Sequence, residues 1–228
     1  LAALQVGTKF YCGGAVLELT QVGKECHHGC AIYQAMGECI MPREGVFCRV
    51  LRGGEIRAGD ALQWELPFRA AVITVSDSGA AGTRTDRSGP AIREILAANG
   101  YPVVHTALLP DEREEIAREL ARIADGDVAD LVLTTGGTGF SPRDWTPEAT
   151  RDVSERDVPG IPEAMRAYSL TVTPRAMLSR SAAGIRKQTL IINLPGSPKA
   201  VRECLEYILP PLCHGLAILK GRTGSCAR

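Results

Sequence analysis

The sequence predicts an α/β protein in which a mostly parallel sheet is covered by helices on both faces, in three layers, and is preceded by a small β unit. From about position 68 onward, apolar strand-like runs alternate with segments of helical periodicity. Before that point the apolar runs are short and are broken by glycines. Near the middle of the chain, a buried run passes through a glycine-rich loop into a helix start. We therefore expect two parts, residues 1–66 and residues 67–228.

The N-terminal part contains short strands separated by turns. Alternating apolar and polar residues predict one strand over 15–20, a second is expected over 45–51, and a third from Ala61 to Leu66. An Arg-Gly-Gly-Glu turn closes the second strand. About 66 residues with this many turns are typical of part of a β fold with a small core.

Strands and helices alternate from Phe68. Strands are predicted over 70–75, 103–108 and 131–135. One helix is predicted over 90–99, and another has Ile116, Leu120 and Ile123 on one face and ends at about position 124. Strand–helix units of this kind form parallel sheets whose ligands bind beyond the carboxyl ends of the strands. The polar residues at these ends are Ser76, Asp77, Asp111 and the loop from Thr135 to Asp144. We therefore expect them to converge on one site.

The segment 131–150 is the main candidate for a ligand-binding loop. It combines a β-prone run, the glycines Gly136, Gly137 and Gly139, the carboxylate Asp144, and a helix start with Thr146 as N-cap and proline after it. Glycines let backbone N–H groups approach a ligand closely, and a helix N-terminus adds partial positive charge. The segment therefore predicts a phosphate site beside a carboxylate. The alternative is a tight crossover that binds no ligand.

A second anion-binding turn is expected further along the chain. If 190–193 is the next parallel strand, it ends at Pro195, Gly196 and Ser197, with Ser197 as the N-cap of the terminal helix. That helix is expected to run from position 198 to about 209, to be interrupted by two prolines, and to resume through position 219.

Four residues that precede this strand are further candidates. Ser179, Arg180, Arg186 and Lys187 would bring a hydroxyl and three cations to the same edge of the sheet. The alternative for the cations is a solvated charged face, which is the more common outcome for an arbitrary basic run.

Composition and charge exclude some functions. Lys plus Arg and Asp plus Glu both number 26, so the chain has no basic field for nucleic acid or for an anionic membrane. No apolar run approaches the roughly 18 residues of a membrane span, and no signal peptide is visible. We therefore expect a cytoplasmic protein.

Five of the eight cysteines lie in the first fifty residues. Cys26 has Lys24 and two histidines as neighbours, which can lower a thiol pKa and make it a candidate reactive thiol. The spacing around Cys26 and Cys30 is not a strong zinc pattern. An ordinary, non-functional cysteine is an equal alternative.

Three motifs in the N-terminal part carry a family resemblance. They are Leu-Glu-Leu-Thr-Gln at 17–21 followed by Cys26, Met-Pro-Arg-Glu-Gly at 41–45, and Gly-Glu-Ile-Arg-Ala-Gly-Asp at 54–60. Together they are similar to the C-terminal half of the molybdenum cofactor sulfurase C-terminal (MOSC) domain family. The resemblance covers residues 1–66 and implies part of a β-barrel in which Cys26 handles sulfur or binds the pterin cofactor.

Eight motifs in the larger part follow the order and spacing of another family. They are Thr-Val-Ser-Asp at 74–77, Leu-Pro-Asp-Glu at 109–112, Thr-Thr-Gly-Gly-Thr-Gly at 134–139, Arg-Asp-x-Thr-Pro-Glu-Ala-Thr at 143–150, Pro-Gly at 159–160, Leu-Ser-Arg at 178–180, Gly-x-Arg-Lys at 184–187 and Asn-Leu-Pro-Gly-Ser-Pro-Lys at 193–199. They resemble the molybdopterin adenylyltransferase family over roughly 68–221. The resemblance implies a three-layer molybdopterin-binding domain, usually a homotrimer, that uses ATP and Mg²⁺ to adenylate molybdopterin.

The same resemblance assigns roles. By motif position, Asp111 and Asp144 correspond to the family's two catalytic acids. Ser197 stands where Mog-type enzymes often carry Gln, which leaves the Mog-type and MoaB-type subgroups open. The resemblance also suggests that the product is handed over to the molybdenum-inserting enzyme.

The chemistry of adenylyl transfer fits these residues. Attack of a phosphate oxygen on the α-phosphate of ATP gathers negative charge, which a carboxylate-bound Mg²⁺, backbone N–H groups and cations can offset. Asp111 and Asp144 are expected to hold the Mg²⁺. The residues expected to bind substrate or nucleotide are Ser76, Asp77, Thr135, Gly136, Gly137, Thr138, Gly139, Ser179, Arg180, Arg186, Lys187, Pro195, Gly196 and Ser197. The alternative function is a non-catalytic molybdopterin-binding or carrier module of the MoaB type, coupled to a sulfur-handling MOSC domain.

Overall fold

The computed structural model describes residues 1, 4, 6–23, 41–65 and 68–221. The chain forms two compact units, Leu1–Pro67 and Phe68–Arg228. Within the described residues, no helix has both the length and the apolar character needed to cross a membrane.

The first unit is built on a four-stranded antiparallel sheet. Its strands are β1 (Lys9–Cys12), β2 (Ala15–Val22), β3 (Val46–Arg52) and β4 (Leu62–Glu65), in the order β3-β2-β1-β4. A short helix, α1 (Met41–Glu44), precedes β3. Phe10 and Leu19 are buried here. The sequence predicts β2, β3 and β4 but not β1, because four residues are too few to show a clear alternation.

The second unit contains a six-stranded sheet. Its strands are β5 (Ala70–Val75), β6 (Val103–Leu109), β7 (Leu131–Thr135), β8 (Arg156–Asp157), β9 (Ala183–Arg186) and β10 (Thr189–Leu194), in the order β6-β5-β7-β10-β9-β8. In this order, neighbouring strands from β6 to β10 pair parallel. β9 pairs antiparallel with β10, and β8 pairs antiparallel with β9. β5, β7 and β10 are buried along their whole length, as expected of strands covered on both faces.

Helices cover both faces of this sheet. They are α2 (Asp77–Ala80), α3 (Ser88–Ala98), α4 (Arg113–Asp125), α5 (Thr146–Val153), α6 (Gly160–Leu170) and α7 (Pro198–Leu219), with a 3₁₀ turn at Pro174–Leu178. Side chains of α3, α6 and α7 form one core cluster with Val72, and those of α4 and α5 form another with Ile73. Successive residues of β5 therefore face opposite layers. The predicted three-layer α/β/α fold is confirmed.

Two helix details differ from the expectation. α5 begins at Thr146 with Trp145 as N-cap and no side-chain cap, and Thr146 is buried. α7 continues without interruption through Pro210 and Pro211, so the expected break is wrong. Both prolines are exposed, and buried apolar residues on either side of them hold the helix against the core. That packing offsets the hydrogen bonds lost at the prolines.

Candidate active site

A cavity of about 800 Å³ lies at the carboxyl edge of the parallel strands. Its lining includes the ends of β5 and β7 and the residues that follow β6 and β10. Ser76, Asp111, Gly136, Asp144 and Gly196 are among them. The parallel geometry thus brings together residues that are far apart in the sequence.

Two glycines of the loop after β7 occupy positions that have no room for a side chain. Gly136 has φ +99°, and a Cβ atom added to it would lie 2.1 Å from the carbonyl oxygen of Val75. Gly137 has φ +62°, and its added Cβ would lie 2.3 Å from Oγ1 of Thr146 and 3.0 Å from Oδ1 of Asp111. Only glycine allows this backbone to pass so close to its neighbours. The loop therefore exposes main-chain groups beside the carboxylate of Asp111.

Asp77 and Asp111 are linked in both directions. The N–H of Asp77 donates to Oδ2 of Asp111 at 2.9 Å, and the N–H of Asp111 donates to Oδ1 of Asp77 at 2.9 Å. Arg143 donates to both carboxylate oxygens of Asp77, at 3.0 and 2.9 Å, and to Glu112 at 2.7 Å. These bonds fix the end of β5 to the end of β6. They also fix both ends to Arg143, which follows the glycine loop.

The two carboxyl groups have opposite electrostatic surroundings. Hydrogen bonds from Arg143 and from the N–H of Asp111 hold the pKa of Asp77 below its ordinary value. Burial raises the pKa of Asp111, and the nearby negative charges of Asp77 and Asp144 raise it further. The hydrogen bond from the N–H of Asp77 lowers this pKa, but its effect is smaller than that of burial. The ionised form of Asp111 is therefore less well compensated by its surroundings than that of Asp77.

The free oxygens of Asp111 and Asp144 fit a hard divalent cation. Oδ2 of Asp144 accepts a hydrogen bond from the N–H of Ser141 at 3.0 Å. Among the described residues, Oδ1 of Asp111 and Oδ1 of Asp144 accept no hydrogen bond. No cluster of three or more carboxylate, imidazole or thiolate groups in that part of the chain could hold a metal by itself. Mg²⁺ is commonly held by one or two carboxylates with substrate phosphates and water, and both of these carboxylates line the same cavity.

Arg180 fixes the segment between the glycine loop and α5. Its guanidinium donates to the carbonyl oxygen of Gly139 at 2.6 Å, to the carbonyl oxygen of Asp144, and to Glu148 of α5 at 2.7 Å. Its main-chain N–H donates to the carbonyl oxygen of Thr138 at 3.0 Å. Its donors are therefore used to hold the loop in place.

Comparison with known proteins places this second unit in a family. A family model described as a probable molybdopterin binding domain matches residues 71–214. The chain belongs to the molybdopterin-binding domain family.

The relatives of this molybdopterin-binding domain include enzymes. A protein of Helicobacter pylori strain J99 named molybdopterin adenylyltransferase is 44% identical over 152 residues, covering 66% of this chain and 86% of that one. The Escherichia coli K12 protein of the same name is 45% identical over 143 residues, covering 62% and 73%. A crystal structure described as the molybdopterin biosynthesis enzyme MoaB of Thermus thermophilus is 51% identical, with a TM-score of 0.65 and coverage of 68% and 97%.

The domain has a second, smaller pocket on the other side of the glycine loop. Its volume is about 300 Å³ and its lining is mostly apolar. Met165 of α6, Leu178 of the 3₁₀ turn and Cys204 of α7 form part of its wall. The two pockets share the loop after β7 and the turn after β10. A ligand in one pocket therefore lies close to a ligand in the other.

Most of the sequence-predicted site residues lie around these pockets. Ser76, Asp111, Thr135, Gly136, Gly137, Asp144, Gly196 and Ser197 line the larger one, and Thr138, Gly139, Ser179 and Pro195 line the smaller one. Several hydroxyls already have structural partners: Ser76 caps α2, Thr135 donates to the carbonyl oxygen of Pro195 at 2.6 Å, and Ser197 caps α7 as expected. These hydroxyls therefore shape the cavity walls.

Arg186 and Lys187 do not reach this edge within one chain. Both pair with Asp125, the last residue of α4, at 2.7 and 3.1 Å. They lie at the turn between β9 and β10, where Arg186 pairs with Thr189 at the amino end of β10. Residues that precede a parallel strand lie at its amino end, so their expected placement at the carboxyl edge is wrong. Cys26 lies outside the described residues.

Sequence reasoning identified Ser76 and Asp77 but missed the later part of the connection between β5 and α3, which follows α2. Arg84, Asp86 and Arg87 all line the larger cavity. Asp86 accepts hydrogen bonds from Thr74 at 2.7 Å and from the first N–H groups of α3. Their position in the chain could have identified them, because this connection also begins at the carboxyl end of a parallel strand.

Proposed function

We propose that this chain is a molybdopterin adenylyltransferase. The observation that carries the proposal is the convergence of Asp111, Asp144 and the glycine loop on one cavity in a protein 44% identical to an enzyme of that name. A phosphate oxygen of molybdopterin would form a bond to the α-phosphorus of ATP. The bond from that phosphorus to the oxygen bridging to the β-phosphate would break, and pyrophosphate would leave with the electron pair.

The chain's own groups would position and stabilise this transfer. Main-chain N–H groups of the loop 136–139 would donate to phosphate oxygens, where rigid donors stabilise developing charge. Asp111 and Asp144 would hold Mg²⁺ through their free oxygens, and the bound ion would offset charge on the phosphates. Arg180 would keep the loop in register by its bonds to Gly139 and Asp144.

The two pockets suggest where each substrate binds. The larger, polar cavity suits Mg²⁺-bound ATP, and the smaller, apolar pocket suits the flat pterin. The shared glycine loop would bring the pterin phosphate and the α-phosphate together, which reduces the entropic cost of the reaction.

We further propose that residues 1–66 are the C-terminal part of a MOSC-like domain. The support is the set of motifs in the sequence and the antiparallel sheet of β1–β4. A functional Cys26 would react with an alkylating probe at pH 7 faster than Cys204, whose pKa is raised by burial. Equal labelling of the two would contradict a special role for Cys26.

The family resemblance also bears on the assembly and location of the protein. We propose a homotrimer in the cytoplasm that hands its product to the molybdenum-inserting enzyme, on the family resemblance alone. Light scattering that gives the mass of a monomer at working concentration would overturn the trimer.

The test of the proposed activity uses the full chain with molybdopterin, ATP and Mg²⁺. We expect pyrophosphate release together with adenylyl-molybdopterin identified by mass, and neither product without Mg²⁺. A protein that binds molybdopterin but never releases pyrophosphate would instead be a carrier module.

A further inference from the structure

We propose that Arg84 and Arg87 bind the β- and γ-phosphates of ATP and then the pyrophosphate that leaves. This inference rests on the proposed adenylyl transfer and extends it to a part of the cavity with no assigned role. Both arginines lie on the connection between β5 and α3, and both line the larger cavity.

These two arginines have guanidinium groups available for a ligand. Both side chains are exposed, and neither side chain forms an ion pair or hydrogen bond with another described residue. In contrast, Arg143 is paired with Asp77 and Glu112, and Arg180 with Glu148. A guanidinium held by carboxylates has part of its charge compensated and fewer free donors for a phosphate. Arg84 and Arg87 are therefore the lining cations that can bind one.

The carboxylates lie at one end of the cavity floor. A Cβ atom added to Gly139 would lie 2.9 Å from Oδ2 of Asp144, and one added to Gly137 would lie 3.0 Å from Oδ1 of Asp111. The two carboxylates proposed to hold the metal are therefore next to Gly137 and Gly139 of the glycine loop.

Arg87 lies on the side of the cavity where Gly136 meets the second turn. A Cβ atom added to Gly196 would lie 3.5 Å from Cα of Gly136, so the two turns touch there. Ser88 donates its hydroxyl to the carbonyl oxygen of Gly196 at 2.8 Å, and Arg87 immediately precedes Ser88. The order along this wall of the cavity is thus carboxylates, glycine turns, then Arg87. The main-chain N–H of Arg84 donates to the carbonyl oxygen of Ser78 at 3.1 Å, so Arg84 joins the cavity wall from the side of α2.

This order matches an in-line displacement. The wall of the smaller pocket includes Pro195 beside Gly196, and it also includes Thr138 and Gly139, which lie on the carboxylate side. A phosphate oxygen that attacks from that side requires the leaving group to depart in the opposite direction. That direction leads past Gly136 and Gly196 to Arg87, and the exposed side chain of Arg84 lines the same cavity. The leaving pyrophosphate would therefore meet these two cations.

The N-terminus of α3 alone cannot bind the pyrophosphate. Asp86 accepts hydrogen bonds from the N–H groups of Ser88 and Gly89 at 2.9 and 3.0 Å, so the first donors of α3 are occupied. Beyond the bound Mg²⁺, the positive charge for a pyrophosphate then comes from Arg84 and Arg87, which can each make two parallel bonds to phosphate oxygens.

The test compares ligands with and without the outer phosphates. The full chain, and the variants Arg84→Ala, Arg87→Ala and the double variant, are titrated with Mg²⁺ plus α,β-methylene-ATP, with AMP, and with inorganic pyrophosphate. Arg93→Ala is the matched control, because Arg93 is an exposed arginine of α3 that does not line the cavity. We expect each single variant to bind the ATP analogue and pyrophosphate about tenfold more weakly, and to bind AMP as the wild type does.

Three results would overturn the inference. An equal loss of AMP binding would place the arginines at the α-phosphate or the nucleoside. Unchanged binding of the analogue by the double variant would show that the arginines are only solvated, while the proposed function stands if the wild type binds it. A wild-type protein that binds no nucleotide with Mg²⁺ would overturn the proposed function and this inference together.

Discussion

The carboxylates of Asp77 and Asp111 each accept a hydrogen bond from the other residue's main-chain N–H, at 2.9 Å in both directions. This pair joins the ends of two neighbouring parallel strands. It also directs Oδ1 of Asp111 toward Gly137, in the cavity. Asp77 does not itself line the cavity, so its effect on catalysis must pass through Asp111.

Replacing Asp77 by Ala should disturb the position of Asp111. The variant loses the acceptor for the N–H of Asp111 and both bonds from Arg143. We expect the rate of pyrophosphate release to fall by about 10- to 100-fold, and the Mg²⁺ concentration for half-maximal rate to rise. Asp77→Asn keeps an acceptor and should lose less. A fall in rate with unchanged Mg²⁺ dependence in Asp77→Ala would contradict this positioning role.

The two proposed metal ligands should be needed for chemistry. Asp111→Asn and Asp144→Asn nearly preserve shape and remove one charge each, so Mg²⁺ and the developing charge are less well stabilised. We expect each to lower the rate of pyrophosphate release by about 10²-fold or more, while pterin binding persists. Asp152→Asn is the control, since Asp152 pairs with Arg113 at 2.7 Å and does not line the cavity. Near-normal rates in either site variant would exclude that residue as a catalytic acid.

Gly136 should not tolerate even one methyl group. Gly136→Ala forces a φ of +99° on a residue with a Cβ and drives that atom to 2.1 Å from a main-chain oxygen. We expect a loss of about 1–3 kcal/mol in the free energy of unfolding from the backbone alone, and a displaced loop that no longer binds Mg²⁺ with α,β-methylene-ATP. Gly160→Ala, where an added Cβ meets no atom within 4 Å, should change neither property. Urea unfolding and nucleotide titration of both variants would measure this; equal behaviour of the two would argue against it.

The convergence of the site was predictable because it depends on strand direction alone. Asp77, Asp111 and the glycine loop each follow a buried apolar run, and parallel strands place such residues at one edge. The placement of Arg186 and Lys187 depended on β9, a four-residue strand whose antiparallel pairing with β10 has no strong signature in the sequence. Arg84 and Arg87 lie in an irregular connection, where periodicity carries no information.

A buried charge network at the opposite edge of the sheet should control acid stability. Asp130 is only 3% exposed and pairs with Lys220 at 2.5 Å and with Arg69 at 3.1 Å; the side chain of Lys220 is 8% exposed. Burial alone would raise the pKa of Asp130, but hydrogen bonds from the side chain and main-chain N–H of Arg69 and from Lys220 hold it below the ordinary value. These contacts connect the start of the second unit to the end of α7.

Because the pKa of Asp130 is lower in the folded state, its contribution to stability is present above the unfolded pKa of about 3.9 and is lost as the pH falls through the folded value. Asp130→Asn removes that titration and leaves Lys220 without its nearest partner, which should cost about 3–5 kcal/mol at pH 7. We expect urea unfolding at pH 7 and at about pH 3 to show a smaller acid-induced loss in the variant than in the wild type. The double variant Asp130→Asn with Lys220→Met should recover part of the loss at pH 7, since it no longer buries an ammonium that has lost its nearest carboxylate and keeps only Asp127 at 3.2 Å. An acid dependence in Asp130→Asn that parallels the wild type would show that other carboxylates, such as Asp127, govern the transition.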